Sequence, residues 1–483
     1  MTGTTLDPAE RRLRLGRALI ATLVATVLAH GGASTIELDF AALGFALLAL
    51  LTAAVPIAAP RLAGLQALTL LLLAALLGYA FWQTFPLRDL PAADPAWKAL
   101  GVAIADASPR GSISVAPGST LAAMPALATP FLAFAVALAC CQNDQEALRL
   151  WRSLAYFGAI YAAFGIVQAV IWPDQLLFEP KRFYLGDLTA TFVNRNTAGT
   201  FFGVALLLNL ALLFAGLRVV PLTRLADRGK WSGRSVALLI HFFAVLDCAA
   251  ALSLTRSRGA VAATLIATLL ATAMMVRRQL TGDHRPKALF ARWRRPAVAL
   301  LTLTFLLALY VLLAGDAVHR PQGLASEDGR WCVFEATLAA GAEHWPLGAG
   351  LGAFLDVFPA YRDADCTGIF GVWDHAHNIF LEGLLGFGLP FVGATALVYA
   401  TLCAALIHGA RVRRRFRFLP VAGLAALVLV TLHAIVDFSL QIPGVAVYVA
   451  TAMAAAVAVA LGRNDGNARG PPWASQSGRL SRN

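Results

Sequence analysis

The chain has 483 residues, of which 59% are hydrophobic and only 14% charged. A water-soluble domain of this length has no interior large enough for so much apolar surface, which excludes the soluble globular classes. Its formal net charge of +12 is no signal for nucleic acid, because the cations are divided among short loops and form no single basic face.

In chain order, Arg11-Arg12-Leu13-Arg14 precedes the first apolar run, and no short apolar core with a small-residue cleavage site follows it. Runs long enough to cross roughly 30 Å of hydrocarbon then recur along the chain. They cover 15–34, 40–60, 62–82, 120–141, 152–172, 197–217, 235–255, 259–276, 297–314, 378–407, 419–439 and 441–462. Backbone groups in lipid must be satisfied within their own segment, so the runs predict an all-α polytopic membrane protein of about twelve transmembrane helices. The organisation expected is a cytoplasmic tail over 1–14, helices one to nine over 15–314, a long periplasmic loop over 315–377, helices ten to twelve over 378–462, and a disordered cytoplasmic tail over 463–483.

Cations concentrate in alternate loops, at 218–234, 277–295 and 411–415. That alternation is the positive-inside bias, which puts these loops and both termini in the cytoplasm. The loops left outside are 83–119, 173–196, the turn at 256–258, and 315–377, which is acidic on balance. Cys140, Cys141, Cys248 and Cys403 fall in spans as small packing residues, whereas Cys332 and Cys366 share the long outer loop, where an oxidising compartment would allow them to pair.

Four polar constellations fall on the external side when spans are counted from a cytoplasmic N-terminus. They are Asn194-Arg195-Asn196-Thr197, Thr255-Arg256-Ser257-Arg258, Arg330-Trp331, and His375-Ala376-His377-Asn378 with Glu382, joined by His433 and Asp437 near the outer end of the eleventh span. Unrelated surface decoration would have scattered over both faces. Arg195, Arg256, Arg258 and Arg330 are guanidiniums on the side that the bias depletes of cations, and a guanidinium fork suits phosphate. The bland alternative for each is an interfacial anchor. Asn194, Asn196 and Thr197 stand at a helix start, where free N–H groups add positive potential. His377 is the titratable group fitted for proton transfer near neutral pH. Asn378 and Glu382 are one helical turn apart, so the carboxylate could orient the amide, and His433 and Asp437 share an i,i+4 spacing. Two histidines separated by one residue are a weak metal pattern without a third ligand, so no metal is expected. Gly348-Ala349-Gly350-Leu351-Gly352 lacks the strand and helix of a dinucleotide fingerprint. Its glycines are expected to make a tight turn before an amphipathic interfacial segment at 353–358.

Taken in order, Phe192-Val193-Asn194-Arg195-Asn196, Ser257-Arg258-Gly259, Arg330-Trp331, Pro346-Leu347-Gly348-Ala349-Gly350 and His377-Asn378-Ile379-Phe380-Leu381-Glu382 resemble the O-antigen ligase and polymerase superfamily of bacterial envelopes. The resemblance covers roughly residues 120–460. It implies a glycosyltransferase of the lipid-donor, GT-C-like architecture in the bacterial inner membrane, with its active site facing the periplasm. Such enzymes move a glycan from an undecaprenyl-pyrophosphate carrier to an acceptor hydroxyl, with inversion and with neither metal nor cofactor. Arginines matching Arg258 and Arg330 would bind the pyrophosphate, and the histidine matching His377 would activate the acceptor. A growing glycan or lipid A-core is the implied acceptor, membrane lipids surround the chain, and a chain-length regulator is a candidate partner. Asn378 is followed after nine residues by Gly388, as in the ligases, but Phe391 stands where they carry Gly, Thr or Tyr. Ligase, polymerase and protein O-glycosylating subtypes therefore stay open. The alternative from another class is a polytopic transporter or lipid-linked glycan flippase, which His433 and Asp437 within the membrane would suit.

Overall fold

The computed structural model describes residues 7–86, 93–103, 110–221, 229, 231–280, 323–362 and 371–462. Among them the chain is helical apart from a two-stranded antiparallel ribbon, Gln175–Leu176 with Glu179–Pro180. The helices are α1 (Pro8–Leu28), α2 (Thr35–Leu51), α3 (Pro60–Gln83), α4 (Pro95–Ala103), α5 (Pro117–Cys140), α6 (Asp144–Ile171), α7 (Arg195–Leu217), α8 (Gly233–Leu254) and α9 (Arg258–Leu280), followed by α10 (Gly323–Glu343), α11 (Phe354–Tyr361), α12 (Ile379–Phe387), α13 (Leu389–Val412), α14 (Phe418–Ala434) and α15 (Pro443–Leu461). Among the described residues nine helices are long and apolar enough to cross a membrane: α2, α3, α5, α6, α7, α8, α9, α13 and α15. The shorter α14 is also apolar, α1 carries Arg11, Arg12, Arg14 and Arg17 in its first half, and the expected span at 297–314 lies outside the described residues.

Local chemistry explains where the helices start. Prolines open α1, α3, α5, α13 and α15, where a missing N–H costs nothing. Ser34 and Glu37 close a capping box on α2, while Asn143 and Asn194 cap α6 and α7. The most enclosed helices are α15 and α7. The former is rich in Ala and Val, and these small side chains let it touch α1, α5, α6, α7, α13 and α14 at once.

The two ends of the bundle differ in chemistry. At one end Arg12 donates to Glu146 at 2.9 Å, Arg413 pairs with Asp144, and Arg417 donates to the Met274 carbonyl at 3.0 Å. At the other end α6, α8 and α14 finish while α7, α9, α12 and α15 begin. Nearly all the candidate polar residues lie there.

Three expectations change shape in the structure. The run 378–407 is not one helix but divides at Gly388 (φ 60°, ψ −131°) into α12 and α13. The chain at 346–350 threads this break: Leu389 N donates to the Pro346 carbonyl at 2.8 Å, Ala349 N to Leu385 at 2.7 Å, and Gly350 N to Gly386 at 3.1 Å. Backbone lies so close to backbone that a Cβ on Gly388 would fall 2.1 Å from the Pro346 oxygen, and one on Gly348 2.5 Å from that of Gly386. Next, the segment expected as a long loop holds helix α10, and the apolar face of α11 (Phe354, Val357, Phe358) is buried against Val333, Ala336 and Ala340 of α10. Finally, α14 stops at Ala434, so residues 435–442 form a turn and not the end of a span. Cys332 is disulfide-bonded, and Cys366 lies outside the described residues.

Candidate active site

Asp437 is the hub of the polar end. It is fully buried in the turn after α14 and accepts hydrogen bonds from Asn196 Nδ2 at 2.7 Å, from Ser439 N at 2.9 Å, and from the Ser439 hydroxyl. Burial alone would push its pKa up, but His377, His433 and Ser439 outweigh it and hold the carboxyl well below its usual range. It is therefore an anion in a place where an unpaired anion would be costly.

The imidazole of His377 meets that anion. Its Nδ1 lies 3.8 Å from Asp437 Oδ2, which is within ion-pair reach but too long for a hydrogen bond. This buried nitrogen has no hydrogen-bond partner among the described residues. The ring is wedged between Trp373 and Phe438, with centroids at 5.1 and 4.8 Å. Its backbone adopts φ 53°, a conformation that a non-glycine residue holds only when its surroundings insist.

Those surroundings can be named. The Asn378 side chain accepts from Phe380 N at 3.0 Å and Leu381 N at 3.1 Å, capping α12 directly after His377. Glu382 does not turn to Asn378. It reaches back across the first turn to accept from Ala376 N at 2.8 Å and to meet His375 Nδ1 at 3.1 Å. His375 in turn stacks on Phe438 at 4.2 Å. Burial would lower the His375 pKa, yet the Glu382 carboxylate, with help from Asp374 and Asp437, raises it above the ordinary histidine value. Asn378, Glu382 and His375 thus hold the residues on both sides of His377.

The first turn of α7 supplies the other wall. Asn194 caps the helix by accepting from Asn196 N at 2.7 Å, and the side-chain amide of Asn196 donates to Asp437. His433 does not pair with Asp437 along a helix, because α14 ends between them. Instead its Nδ1 bonds Thr200 Oγ1 on α7 at 2.6 Å. Gly259, beside Arg258 at the start of α9, lies flat against the same ring, where a Cβ would come 2.9 Å from His433 Cδ2.

The arginines group around residues that sequence reasoning missed. Arg195 Nη1 donates to Asp187 Oδ2 at 2.7 Å and Arg256 Nη1 to Asp187 Oδ1 at 3.1 Å. Arg195 also sits over the Tyr184 ring, 5.4 Å from its centroid. Burial raises the Tyr184 pKa; Asp437 and Asp374 add to the rise, while Arg195 and Arg330 oppose it. Arg330 is within electrostatic reach of His433 as well. Tyr184 thus links the arginine group to the His377–Asp437 group. The structure brings Asn196, His377, His433 and Asp437 into one cluster, joins Arg195 with Arg256, and sets Arg258 and Arg330 alongside. Asp187, Tyr184, Thr200, Phe438 and Ser439 belong to no recognisable motif; Tyr184 and Asp187 lie in the loop before α7, Thr200 on α7, and Phe438 and Ser439 in the turn after α14.

An all-helical chain with nine candidate spans among its described residues is a multi-pass membrane protein, and this one carries a charged, titratable cluster at one end of its bundle. Residues 242–394 match the family model described as O-Antigen ligase, so this stretch of the chain is similar to that family. A comparison with curated proteins gave no match. The matched stretch contains Arg256, Arg258, Arg330, His377, Asn378 and Glu382, whereas Arg195, Asn196, His433 and Asp437 lie outside it.

Proposed function

We propose that this chain transfers a glycan from an undecaprenyl-pyrophosphate carrier to an acceptor hydroxyl, at the periplasmic face of the bacterial inner membrane. The observation that carries the reading is the approach of the buried Nδ1 of His377 to Asp437, beside a group of arginines at one end of the bundle. With Nδ1 turned to the carboxylate, the other ring nitrogen serves as general base. His377 takes the proton of the acceptor hydroxyl, and the acceptor oxygen attacks the anomeric carbon. The bond from that carbon to the pyrophosphate oxygen breaks, and the lipid pyrophosphate leaves. Asp437, held by Asn196 and Ser439, stabilises the imidazolium that forms. The 3.8 Å gap closes in the substrate complex, as such contacts commonly do. Arg195, Arg256, Arg258 and Arg330 stabilise the charge that develops on the leaving group.

Asn378 and Glu382 act through the conformation of His377. His433 and Asp437, which suited a transporter in the sequence, are engaged by α7 at the end of the bundle and not at its midplane, so the transferase reading is favoured. The test is reconstitution with a lipid-linked oligosaccharide and candidate acceptors, glycan, lipid A-core and protein. Transfer by wild type, with loss in His377→Ala and Arg258→Ala, is expected. Translocation of the lipid-linked glycan without transfer would refute the proposal.

A further inference from the structure

The carboxylate of Asp187 is 8% exposed, yet it has no place in the chemistry above. Each of its oxygens accepts from a different arginine: Oδ2 from Arg195, the first residue of α7, and Oδ1 from Arg256, in the turn between α8 and α9. The segment carrying it is tied down from two more directions. Lys181 Nζ donates to the Asp187 carbonyl at 2.8 Å, and Leu188 N donates to the Leu254 carbonyl at the end of α8 at 3.0 Å.

We infer that Asp187 is a positioning residue for the donor's pyrophosphate, fixing the spacing of the Arg195 and Arg256 guanidiniums. This rests on the transferase reading. Each arginine meets the carboxylate through a single Nη1, and a guanidinium carries five N–H groups, so most of their donors remain for phosphate. The buried Nε of Arg195 has no hydrogen-bond partner among the described residues. Arg256 is 52% exposed and has φ 53°, so its side chain would sample many orientations without an anchor. A long side chain fixed before binding loses less entropy when it binds. Asp187 could instead be a counter-ion that the phosphates displace. The geometry argues against this, because its backbone is fastened to Lys181 and Leu254 and the carboxylate has nowhere to withdraw.

The two roles predict opposite results. A positioning carboxylate makes donor binding weaker when it is removed, whereas a displaced counter-ion makes it tighter. The experiment compares wild type, Asp187→Asn and Asp187→Glu in detergent. It reads KM for the lipid-linked donor, KM for the acceptor, kcat, and calorimetric binding of inorganic pyrophosphate. Asp187→Asn is expected to raise donor KM and weaken pyrophosphate about tenfold, the loss of roughly one charge-assisted hydrogen bond. Acceptor KM should stay within about twofold, kcat should fall because the same arginines meet the leaving group, and Asp187→Glu should recover most of the affinity. Unchanged or tighter pyrophosphate binding in Asp187→Asn overturns the inference, as does a fall in kcat with both KM values unchanged together with a lower Tm. Absence of transfer by wild type would instead defeat the transferase reading, and the pyrophosphate measurement would still decide the role of Asp187.

Discussion

His377 shows how much at this site rests on single side chains. Its left-handed backbone and its unpartnered nitrogen both cost free energy. They persist because Asn378 caps the helix that follows and Glu382 holds the amide that precedes. If His377 is the base, His377→Ala should lower kcat by about 10²- to 10⁴-fold with little change in donor KM. Asp437→Asn keeps the shape of the turn but removes the charge facing the imidazole, and a roughly 10- to 100-fold loss of kcat is expected. His375 makes a prediction about pH. Its folded-state pKa is raised, so protonation favours the folded form. That contribution is complete below the ordinary histidine pKa and disappears as pH rises through the raised folded value. Wild type should therefore lose Tm relative to His375→Gln as pH climbs above the ordinary histidine range, and parallel profiles would show that the His375–Glu382 pair adds no stability. Of these residues, the histidines, the asparagines and the arginines were legible in the sequence because they sit together in short polar runs. Asp187 and Tyr184 were not, since nothing local distinguishes them from any other polar residue in a loop.

At the scale of elements, the break between α12 and α13 sets the depth at which His377 stands. Apolar residues run through 378–407 with little interruption, so hydropathy alone reads one span, although Gly386, Gly388 and Pro390 stand within it. What divides it is contact with a distant segment, the backbone of Pro346–Gly350, which only glycines at 348 and 388 allow to come so near. Gly388→Ala should cost at least ~1–3 kcal/mol, read as a lower unfolding midpoint in detergent, because it adds a Cβ at positive φ against a carbonyl oxygen. Asn378→Ala should cost about 1 kcal/mol through the lost cap. Its activity should fall further than this stability loss explains, since the same residue fixes the position of His377.

For the whole molecule, the division into two chemically different ends is the feature that any topology must explain. One end ties arginines to carboxylates and helix-end carbonyls through Arg12, Arg413 and Arg417; the other gathers the candidate site. If the site faces the periplasm, a single cysteine at Phe178, which is 97% exposed in the ribbon beside the site, should react with a membrane-impermeant maleimide in intact cells. One at Val412, at the opposite end, should react only after the inner membrane is opened. The reverse pattern would invert the molecule.

By itself the sequence determined the class of architecture, because apolar runs and the need to satisfy backbone groups in lipid are local properties of the chain. It also determined which polar runs were worth attention, and their gathering at one end followed from counting spans. Tertiary structure alone decided which residues meet: Asn196 with Asp437, Thr200 with His433, and Asp187 with two arginines from different helices. Those pairings join positions as many as 241 residues apart. They exist only because α7, α9 and α14 pack together, and no periodicity along the chain records that packing.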